Sequence, residues 1–509
     1  MDFKDRERRH SIKVIASEAI MVLAIIASVI VLALLVSGYW LNSDLKVERQ
    51  GMLQISSIPT GATIDIDGTT SSWLERTNTS KVLSAGEHTI TLTKDGYDSW
   101  SRTINITEGL LYRIHYPRLF LNSRTTTPVY DASIVTFATV SPDGNHLLLA
   151  NNTTSWSLLP LEDESPSPSK IDISSIFSSI SMADGATTGL FNGEIISADW
   201  SEDNSHVLFK VKSDDTTEWV ILNPKDTKSS INLTHEFATD FSRIKILDSS
   251  ANTLLAIRDG NLHKIDVASR QISSILIKDI VDFDHYNSEI VFSAKSPDNS
   301  TATDTSTDAT TPSSNTTTPS PDSTSSQDTI STDPASSPST SYPYYIGYFK
   351  LGENKITTLT GSSTPAQVTI SKFYDDKYIT TLAQNTLTLY KKDDFAKILS
   401  STLAFTPTQL KVGHAGEFIE ATSNTNFATL DMEAQSVREW TIDSSHYGWL
   451  DHDMLYSISD GQLIVYDFDG LNRRIISKNV SERFPVAVTN DKWLYYFSDG
   501  KIIREVINK

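Results

Sequence analysis

From about Pro128 to the C-terminus, the chain repeats one pattern: a short polar corner followed by an apolar run typical of a β-strand. The corners are SPDG at 141, SEDN at 201, DSSA at 248, DHYN at 284, YDDK at 374, GHAG at 413, LDHD at 450 and TNDK at 489. A second apolar run usually follows, as in NLHKIDV and QLIVYDF. Several intervals between corners are 36 to 39 residues, which suits a four-stranded unit of roughly 40 residues. The repeat therefore predicts a β-propeller over residues 128–509.

Two longer intervals between corners are predicted to contain insertions. The 90-residue interval includes 296–343, which is nearly all Ser, Thr, Pro, Asp and Asn and has no Lys or Arg. Removing these 48 residues leaves 42, close to the repeat length. We therefore predict a disordered insertion between two strands of one blade, SEIVFSA and YYIGYFKL. The 60-residue interval is predicted to hold a smaller insertion at 164–189.

Eight corners predict eight blades. The last unit shows only three strands before the chain ends, and residues 127–137 hold more extended sequence than one inner strand needs. We expect this stretch to complete the last blade and remove a free sheet edge. Seven blades remain the alternative, if the unit at 413 is misread. SPDG followed by an apolar strand resembles the repeats of TolB-type and WD-repeat propellers, a resemblance that implies fold and not function.

Residues 51–118 also alternate with period two and predict a small β-sandwich. Ala62, Ile64 and Ile66 alternate with polar residues, and Asp67-Gly68 stands where a hairpin would turn. Before this segment, NSDLKVERQ at 42–50 is predicted to be a polar neck.

The D-x-D-G at 65–68 could alternatively belong to an EF-hand calcium loop. With its glycine at the sixth position, the first position is Thr63 and the twelfth is Leu74, so two strong ligands are missing. The second D-x-D-G, at 467–470, fails in the same way at Val465 and Ile476. Both motifs are therefore predicted to be turns.

The segment 51–118 resembles the PEGA domain, a small sandwich of bacterial and archaeal envelope proteins. The resemblance lies in PTGA at 59–62, IDIDG at 64–68 and AGEHTITLTKDGYDSW at 85–100, which matches the family's G-x-H-x-[ILV]-x-[ILV] and K-x-G-Y. The T-P that commonly follows the family's first hairpin is not evident. The resemblance implies an extracytoplasmic module and implies no enzymatic activity.

The N-terminus predicts where the protein resides. Residues 1–13 carry five Lys or Arg against three acidic residues, and residues 19–40 carry no charge. These 22 residues would span roughly 33 Å as a helix, enough for the apolar core of a bilayer. We expect a cytoplasmic basic tail at 1–13, a transmembrane signal anchor at 14–41 with Tyr39 and Trp40 at the interface, and an extracytoplasmic remainder. A cleaved signal peptide and a buried core helix are the alternatives.

Composition and motifs exclude several classes of partner, binding site and enzyme. A net charge of −20 argues against a nucleic-acid partner, and the absence of cysteine excludes disulfides, thiolate zinc sites and cysteine nucleophiles. No H-E-x-x-H, G-x-S-x-G or Walker motif occurs. His146 and His206 each begin a strand after a corner, which favours a repeated structural position over a pair of ligands. Trp200 and Trp449 precede corners, which favours core packing over sugar stacking. The sequence therefore predicts no catalytic, cofactor-binding or metal-binding residue and assigns no ligand-binding residue.

Together these features predict a mainly β, non-enzymatic, membrane-anchored binding or scaffold protein at the cell membrane. Its propeller would recognise a protein or a cell-envelope glycan, with the membrane as its other partner. An exported propeller enzyme that processes glycans or peptides is one alternative, and converging carboxylates at the channel mouth would distinguish it. A receptor that acts through a membrane partner is the other.

Overall fold

The computed structural model describes residues 18, 20–33, 39–41, 47–70, 76–181, 189–213, 216–297, 342–353, 355–413 and 416–509. Residues 20–33 are helical (α1), and a second helix, α2, is short (Leu233–Phe237). A 3-10 turn covers Thr227–Ser229. The other regular elements of these residues are β-strands, so the predicted mainly β class is confirmed.

The N-terminal segment differs from its prediction. In the part of the chain that the structure describes, no helix is long and apolar enough to cross a membrane. Tyr39–Leu41 were predicted to end the anchor. They instead form an edge strand that pairs antiparallel with Val47–Arg49. The predicted polar neck at 42–50 is likewise wrong from Val47 onward. Residues 1–17, 19 and 34–38 lie outside the described residues.

The first domain is a sandwich of two four-stranded sheets. In one sheet β2 pairs with β1, β5 and β8, and the other has the order β4-β3-β6-β7. The strands are β1 (Tyr39–Leu41), β2 (Val47–Ile55), β3 (Thr63–Ile66), β4 (Thr69–Thr70), β5 (Thr79–Ser84), β6 (Gly86–Thr93), β7 (Trp100–Ile106) and β8 (Leu111–Ile114). The predicted alternation holds, because Ile64, Ile90 and Leu92 are fully buried while their neighbours face outward.

The D-x-D-G of this domain is a turn, as predicted. Asp67 and Gly68 both have positive φ (54° and 77°) at the tip of the β3–β4 hairpin, the backbone of a type I′ turn. The Gly68 amide donates to the Asp65 carboxylate (2.9 Å), and Asp67 contacts His88 (2.7 Å). Both carboxylates are therefore engaged within the hairpin and its neighbour.

The second domain contains eight successive four-stranded antiparallel sheets, here called blades one to eight. Blades one to four are β10–β13 (Val135–Val140, His146–Asn151, Ser155–Pro160, Ser169–Asp172), β16–β19 (Glu194–Trp200, Val207–Ser213, Thr216–Leu222, Ile231–Asn232), β20–β23 (Arg243–Ile246, Thr253–Arg258, Asn261–Asp266, Gln271–Ile272) and β24–β27 (Ile280–Tyr286, Glu289–Lys295, Tyr344–Lys350, Ile356–Ser362). A small pair, β14 (Ile180–Ser181) and β15 (Leu190–Phe191), joins blades one and two.

The remaining blades follow the same order. They are β28–β31 (Ala366–Phe373, Asp376–Ala383, Thr386–Lys391, Lys397–Thr402), β32–β35 (Gln409–Val412, Phe418–Ser423, Asn426–Asp431, Ser436–Thr441), β36–β39 (Tyr447–Trp449, Met454–Ser459, Gln462–Asp467, Arg474–Lys478) and β40–β42 (Ala487–Thr489, Trp493–Ser498, Lys501–Val506). The fourth strand of blade eight is β9 (Thr126–Asp131), which pairs with β42. The expectation that residues near 127 complete the last blade is therefore confirmed.

The blades form a closed ring. Polar contacts that join each blade to the next are Asp143–Asn204, Asp203–Ser249, Arg243–Asp282, Asp282–Val368, Gln367–Leu410, Thr429–Phe468, Tyr456–Val486 and, from blade eight back to blade one, Thr489–Gly144. The second strand of each blade is packed on both sides, which explains why the run after each corner, such as HLLLA, is continuously apolar. The architecture is an eight-bladed β-propeller.

Three details of the predicted repeat need correction or completion. The unit at 413 is a true blade, so the seven-blade alternative is set aside. Residues 164–189 are not simply an insertion, because Ser169–Asp172 pairs with β12 as the outer strand of blade one. The corner placed at 284 begins later, since β24 continues to Tyr286 and the turn uses Asn287 with φ of 52°. The insertion at 296–343 does separate β25 and β26 of one blade, and most of it lies outside the described residues.

Candidate binding site in the propeller channel

Strand alternation gives the propeller two distinct faces. Neighbouring strands of a blade are antiparallel, so the connections from first to second strand and from third to fourth strand lie on one face. We call this the corner face, since it carries the SPDG-type corners. The connections from second to third strand and from blade to blade lie on the opposite face, here called the open face.

The sandwich packs on the corner face of blades five to eight. The propeller residues that make polar contacts with it include Tyr374, Glu417, Glu433, Asp451, Asp453, Asp467, Asp469, Asn472, Asp491 and Asn508. All of them lie in corner-face connections or at the strand ends beside them. Among the described residues, the sandwich therefore covers part of the corner face and makes its contacts there.

An aromatic cluster extends the sandwich core into the propeller. Tyr116 presents its ring edge-on to Phe468 and Phe418, with centroid distances of 5.1 and 6.5 Å. Phe418 and Phe468 stack on each other at 3.8 Å, and all three side chains are buried. Burial of this size contributes about 2 kcal/mol per large side chain, so the cluster favours a docked arrangement of the two domains.

Buried polar contacts surround this aromatic cluster. The Trp100 indole donates to the Asp467 carboxylate (2.9 Å), and Arg102 pairs with Asp469 (2.8 Å). Burial raises the pKa of Asp467 to about 6, although Arg474 opposes this increase. The second D-x-D-G is thus a docking turn for the sandwich. Its Gly470 has φ of 81°, and a Cβ there would lie 2.4 Å from the Trp440 ring.

Arg118 forms a further buried bridge between the domains. Its guanidinium donates to Asp451 (3.0 Å) and Asp491 (2.6 Å), which lie on the corners of blades seven and eight. Arg474 of blade seven in turn donates to Asp98 of the sandwich (2.9 Å). These ion pairs add to the aromatic contact and favour the docked arrangement of the two domains.

The channel runs through the ring from the corner face to the open face. Two cavities of about 810 and 840 Å³ share Asp199, Trp200 and Lys411, and together they are lined by all eight blades. The larger cavity reaches the corners of blades one, seven and eight. The smaller cavity includes Ser242 and Thr408, at the starts of inner strands, and therefore faces the open face.

At the open face the channel adjoins a third cavity of about 550 Å³. It shares Arg243 and Gln367 with the channel and is otherwise lined mainly by the connections leading into blades five and six, at 364–366 and 406–407. The ends of β25 and β26 that flank the insertion of blade four, Lys295 and Tyr344, also lie on this face. We call the channel opening and this adjoining cavity the mouth.

The mouth and channel contain charges of both signs. Lys245 pairs with Asp284 (2.6 Å), and Arg243 pairs with Asp282. Both acidic residues also accept hydrogen bonds from backbone amides of blade five. The Val368 amide donates to Asp282 and the Ile370 amide to Asp284, which fixes the position of the two carboxylates. The cations of blade three are therefore held toward the channel by ion pairs with blade four.

Asp199 and Lys411 lie in the middle of the channel. Solvent reaches Asp199 within the channel. Burial by the surrounding protein nevertheless raises the pKa of its carboxyl, and the nearby cations Lys245, Lys411 and Arg243 oppose that increase. Lys411 makes no ion pair with any residue that the structure describes, within 4.0 Å. It lies opposite buried Glu420 in the β32–β33 ladder. Lys411 is thus a solvent-reached cation inside the channel.

Two tryptophans both pack against the core and line the channel. Trp200 is half-buried and donates its indole N–H to Thr139 (3.2 Å). Trp449 is half-buried and stacks at 6.4 Å on Phe418, a member of the interdomain cluster. Both side chains pack against core clusters, as predicted, and both also line the channel.

The histidines after corners occupy equivalent structural positions, as predicted. The amides of His146 and His206 each donate to the first serine of the corner, Ser141 or Ser201, at 2.9 Å. Each serine hydroxyl in turn donates to the corner aspartate, at 2.5 and 2.7 Å. Burial lowers the pKa of both imidazoles. The serine of each S-x-D corner therefore accepts a hydrogen bond from the backbone N–H at the start of the following strand.

One group of side chains could hold a metal ion, among the described residues. It consists of His115 from the sandwich with Glu417 and Asp453 from the propeller. The sequence did not point to it, because His115 is about 300 residues from the acids. A partial signal exists: Glu417 and Asp453 each immediately precede the second strand of neighbouring blades, so the repeat places them side by side.

Comparisons with known proteins give one family match and several similarities in structure. Residues 50–118 match the model of the PEGA domain, which confirms that resemblance. No curated protein matches the chain. The chain is similar in structure to Hsv2 of Kluyveromyces lactis, at 8% identity and a TM-score of 0.39, with 68% of this chain and 98% of that chain covered.

Two other solved structures are similar at the same level. An oligogalacturonate lyase in complex with manganese is 13% identical, with a TM-score of 0.37 and coverage of 61% of this chain and 88% of that chain. The β-propeller domain of Cps50 (Swd1) from Myceliophteria thermophila is 10% identical, with a TM-score of 0.37 and coverage of 76% and 100%. Such similarity concerns the fold alone.

Proposed function

We propose that this protein is a membrane-anchored, extracytoplasmic binding protein that engages an envelope protein or glycan at the open face of its propeller. The observation that carries the proposal is the docking of the sandwich. Buried bridges such as Arg118–Asp451 attach it to the corner face. The mouth on the opposite face is then the concave surface directed away from the sandwich and from the N-terminal segment that precedes it.

The N-terminal segment supports the membrane part of the proposal. Residues 19–40 carry no charge, and the large apolar side chains described in α1, such as Leu23 and Leu32, are exposed. A helix that is apolar all round and exposed is suited to a lipid environment. The basic residues of 1–13 would stay in the cytoplasm, which leaves the PEGA domain and the propeller outside.

The chemistry of the mouth supports binding of a polar ligand. Arg243, Asp282 and Gln367 line the mouth, where neighbouring groups hold them in place. Deeper in the channel, Lys411 offers a cationic donor and Trp200 an aromatic surface. A concave site with a few convergent polar groups is the usual form of a ligand pocket. Its mixed charges favour a partner recognised by hydrogen bonds over one recognised by net charge.

The test compares the wild-type chain with two lysine variants for retention of material from the host's envelope fractions. Lys411→Ala removes the channel cation, and Lys397→Ala removes an exposed lysine on an outer strand of blade five as a matched control. We expect Lys411→Ala to retain at least about tenfold less and Lys397→Ala to retain as much as wild type. Equal retention by all three would contradict binding in the channel. Treating the retained material with protease or glycosidase distinguishes the two classes of partner.

An exported enzyme is the second candidate, because two acids with raised pKa values share the channel. Asp199 is solvent-reached, and burial raises the pKa of Glu420 to about 7. Acids perturbed in this way are frequent in catalytic clefts. Turnover of an envelope glycan or peptide that disappears in Asp199→Asn, while binding persists, would favour this candidate over the first.

A further inference from the structure

His115, Glu417 and Asp453 converge where the sandwich meets the corner face. His115 directly follows β8, and each acid directly precedes the second strand of its blade, six or seven. The His115 Nε2 atom lies 2.9 Å from Glu417 Oε2 and 3.9 Å from Asp453 Oδ1. All three ligand atoms lie within 4.8 Å of one another. Three donors from three separate elements thus point at a common volume.

These separations suit a shared ion. Zn²⁺ binds imidazole nitrogen and carboxylate oxygen at about 2.0–2.2 Å, so tetrahedral ligand atoms lie about 3.4 Å apart. The distances from His115 Nε2 to Glu417 Oε2 (2.9 Å) and to Asp453 Oδ1 (3.9 Å) lie below and above that value. An imidazole with two carboxylates is also a ligand set that a borderline ion accepts more readily than the hard cations Mg²⁺ and Ca²⁺.

The surrounding charge favours a cation. The Glu417 side chain is 7% exposed and that of Asp453 18%, and Asp451 lies near Asp453. The nearby cation Arg118 is already occupied by Asp451 and Asp491. The acids at this point therefore outnumber the cations paired with them.

The site is also accessible. His115 and Glu417 line an open cleft of about 830 Å³ between the sandwich and the propeller, together with Arg113 and Tyr374. An ion can enter from this cleft, and water can complete its coordination there. Three protein ligands and an open position form a complete donor set for Zn²⁺.

We propose that His115, Glu417 and Asp453 form a Zn²⁺ site that fastens the PEGA domain to the propeller. The ion bridges one ligand from the sandwich and two from adjacent blades, so binding it stabilises the docked arrangement of the two domains. This proposal is independent of what the open face binds. The competing arrangement is an ion pair between protonated His115 and Glu417, which requires no metal.

The test uses the full chain, purified in detergent with a tag that contains no histidine and treated with EDTA. Metal uptake after incubation with Zn²⁺ is measured by mass spectrometry of the metal, and the thermal unfolding midpoint is recorded with and without Zn²⁺. We expect one Zn²⁺ per chain and a higher midpoint in its presence. Ca²⁺ and Mg²⁺ should give neither effect.

Variants locate the bound ion. His115→Ala and Asp453→Asn should each weaken Zn²⁺ affinity by at least about tenfold and abolish the Zn²⁺-dependent midpoint increase. His446→Ala is the matched control, since His446 is exposed and lies 3.9 Å from a single acid, Glu482. It should leave both readouts unchanged. Far-ultraviolet circular dichroism verifies that each variant is folded.

Two results would overturn the proposal. One is folded wild-type chain that takes up no Zn²⁺ or takes up Ca²⁺ in its place. The other is Zn²⁺ uptake that His115→Ala and Asp453→Asn leave unchanged. The wild-type measurement alone is decisive if a variant fails to fold.

Discussion

Replacing Glu420 with glutamine should stabilise the propeller at neutral and alkaline pH and not at acidic pH. Glu420 lies on β33 with its side chain 2% exposed, and its Oε1 atom has no hydrogen-bond partner among the described residues. Burial raises its pKa from 4.5 to about 7, although Lys411 and Trp449 favour the charged form. The folded chain thus binds a proton at Glu420 more tightly than the unfolded chain does.

The sign and size of the effect follow from this difference. Because the folded-state pKa is raised, the stabilisation is fully present below the unfolded value near 4.5 and is lost as pH rises through about 7. At about 1.36 kcal/mol per pKa unit, the loss amounts to about 3 kcal/mol. Glutamine resembles the protonated acid in shape and does not titrate, so Glu420→Gln avoids this loss.

The assay is urea unfolding of the wild-type and Glu420→Gln chains at pH 4.5 and pH 8.5, monitored by tryptophan fluorescence. The two chains should be similar at pH 4.5, and the variant should be more stable by about 3 kcal/mol at pH 8.5. Glu353→Gln is the control, since Glu353 is exposed and pairs only at the surface with Lys350. A stability difference between Glu420→Gln and wild type that does not change with pH would refute the reasoning.

Three further predictions concern the domain interface and the insertion. Arg118→Met should destabilise the chain by about 3 kcal/mol, because it leaves Asp451 without its buried partner, and the urea midpoint measures this. Trp100→Phe should lower the free energy of unfolding by about 1–3 kcal/mol, because it removes the indole N–H that donates a hydrogen bond to Asp467. An unchanged urea midpoint would show that this hydrogen bond does not stabilise the chain. Replacing residues 299–340 by a short Gly-Ser linker should leave the calorimetric unfolding temperature nearly unchanged, because the β25–β26 ladder lies outside the replaced segment.

The repeat architecture could be predicted because its signals come from residues that are close together in sequence. A corner such as SPDG fixes a turn through its own serine and aspartate, and the apolar run after it is a strand packed on both sides. Even closure by the N-terminal strand was visible, since residues near 127 exceed what one inner strand needs. These features depend on neighbours within about ten residues or on simple counting of repeats.

The docking of the domains and the candidate metal site could not be predicted in the same way. Both depend on pairs that are far apart in sequence, such as Trp100–Asp467 and His115–Glu417. The D-x-D-G at 467–470 reads as an ordinary turn, and nothing within it shows that its carboxylates serve another domain. The segment predicted as an anchor included Tyr39–Leu41, because charge counting does not register the strand there.

The central claim is that the open face of the propeller binds an envelope partner while the corner face holds the sandwich. Hydrogen–deuterium exchange of the full chain, with and without the material it retains from envelope fractions, tests this most directly. The account predicts slower exchange in the segments that line the mouth, at 243–246, 364–367 and 406–411, and unchanged exchange in the sandwich. Protection confined to the sandwich, with none at the mouth, would contradict it.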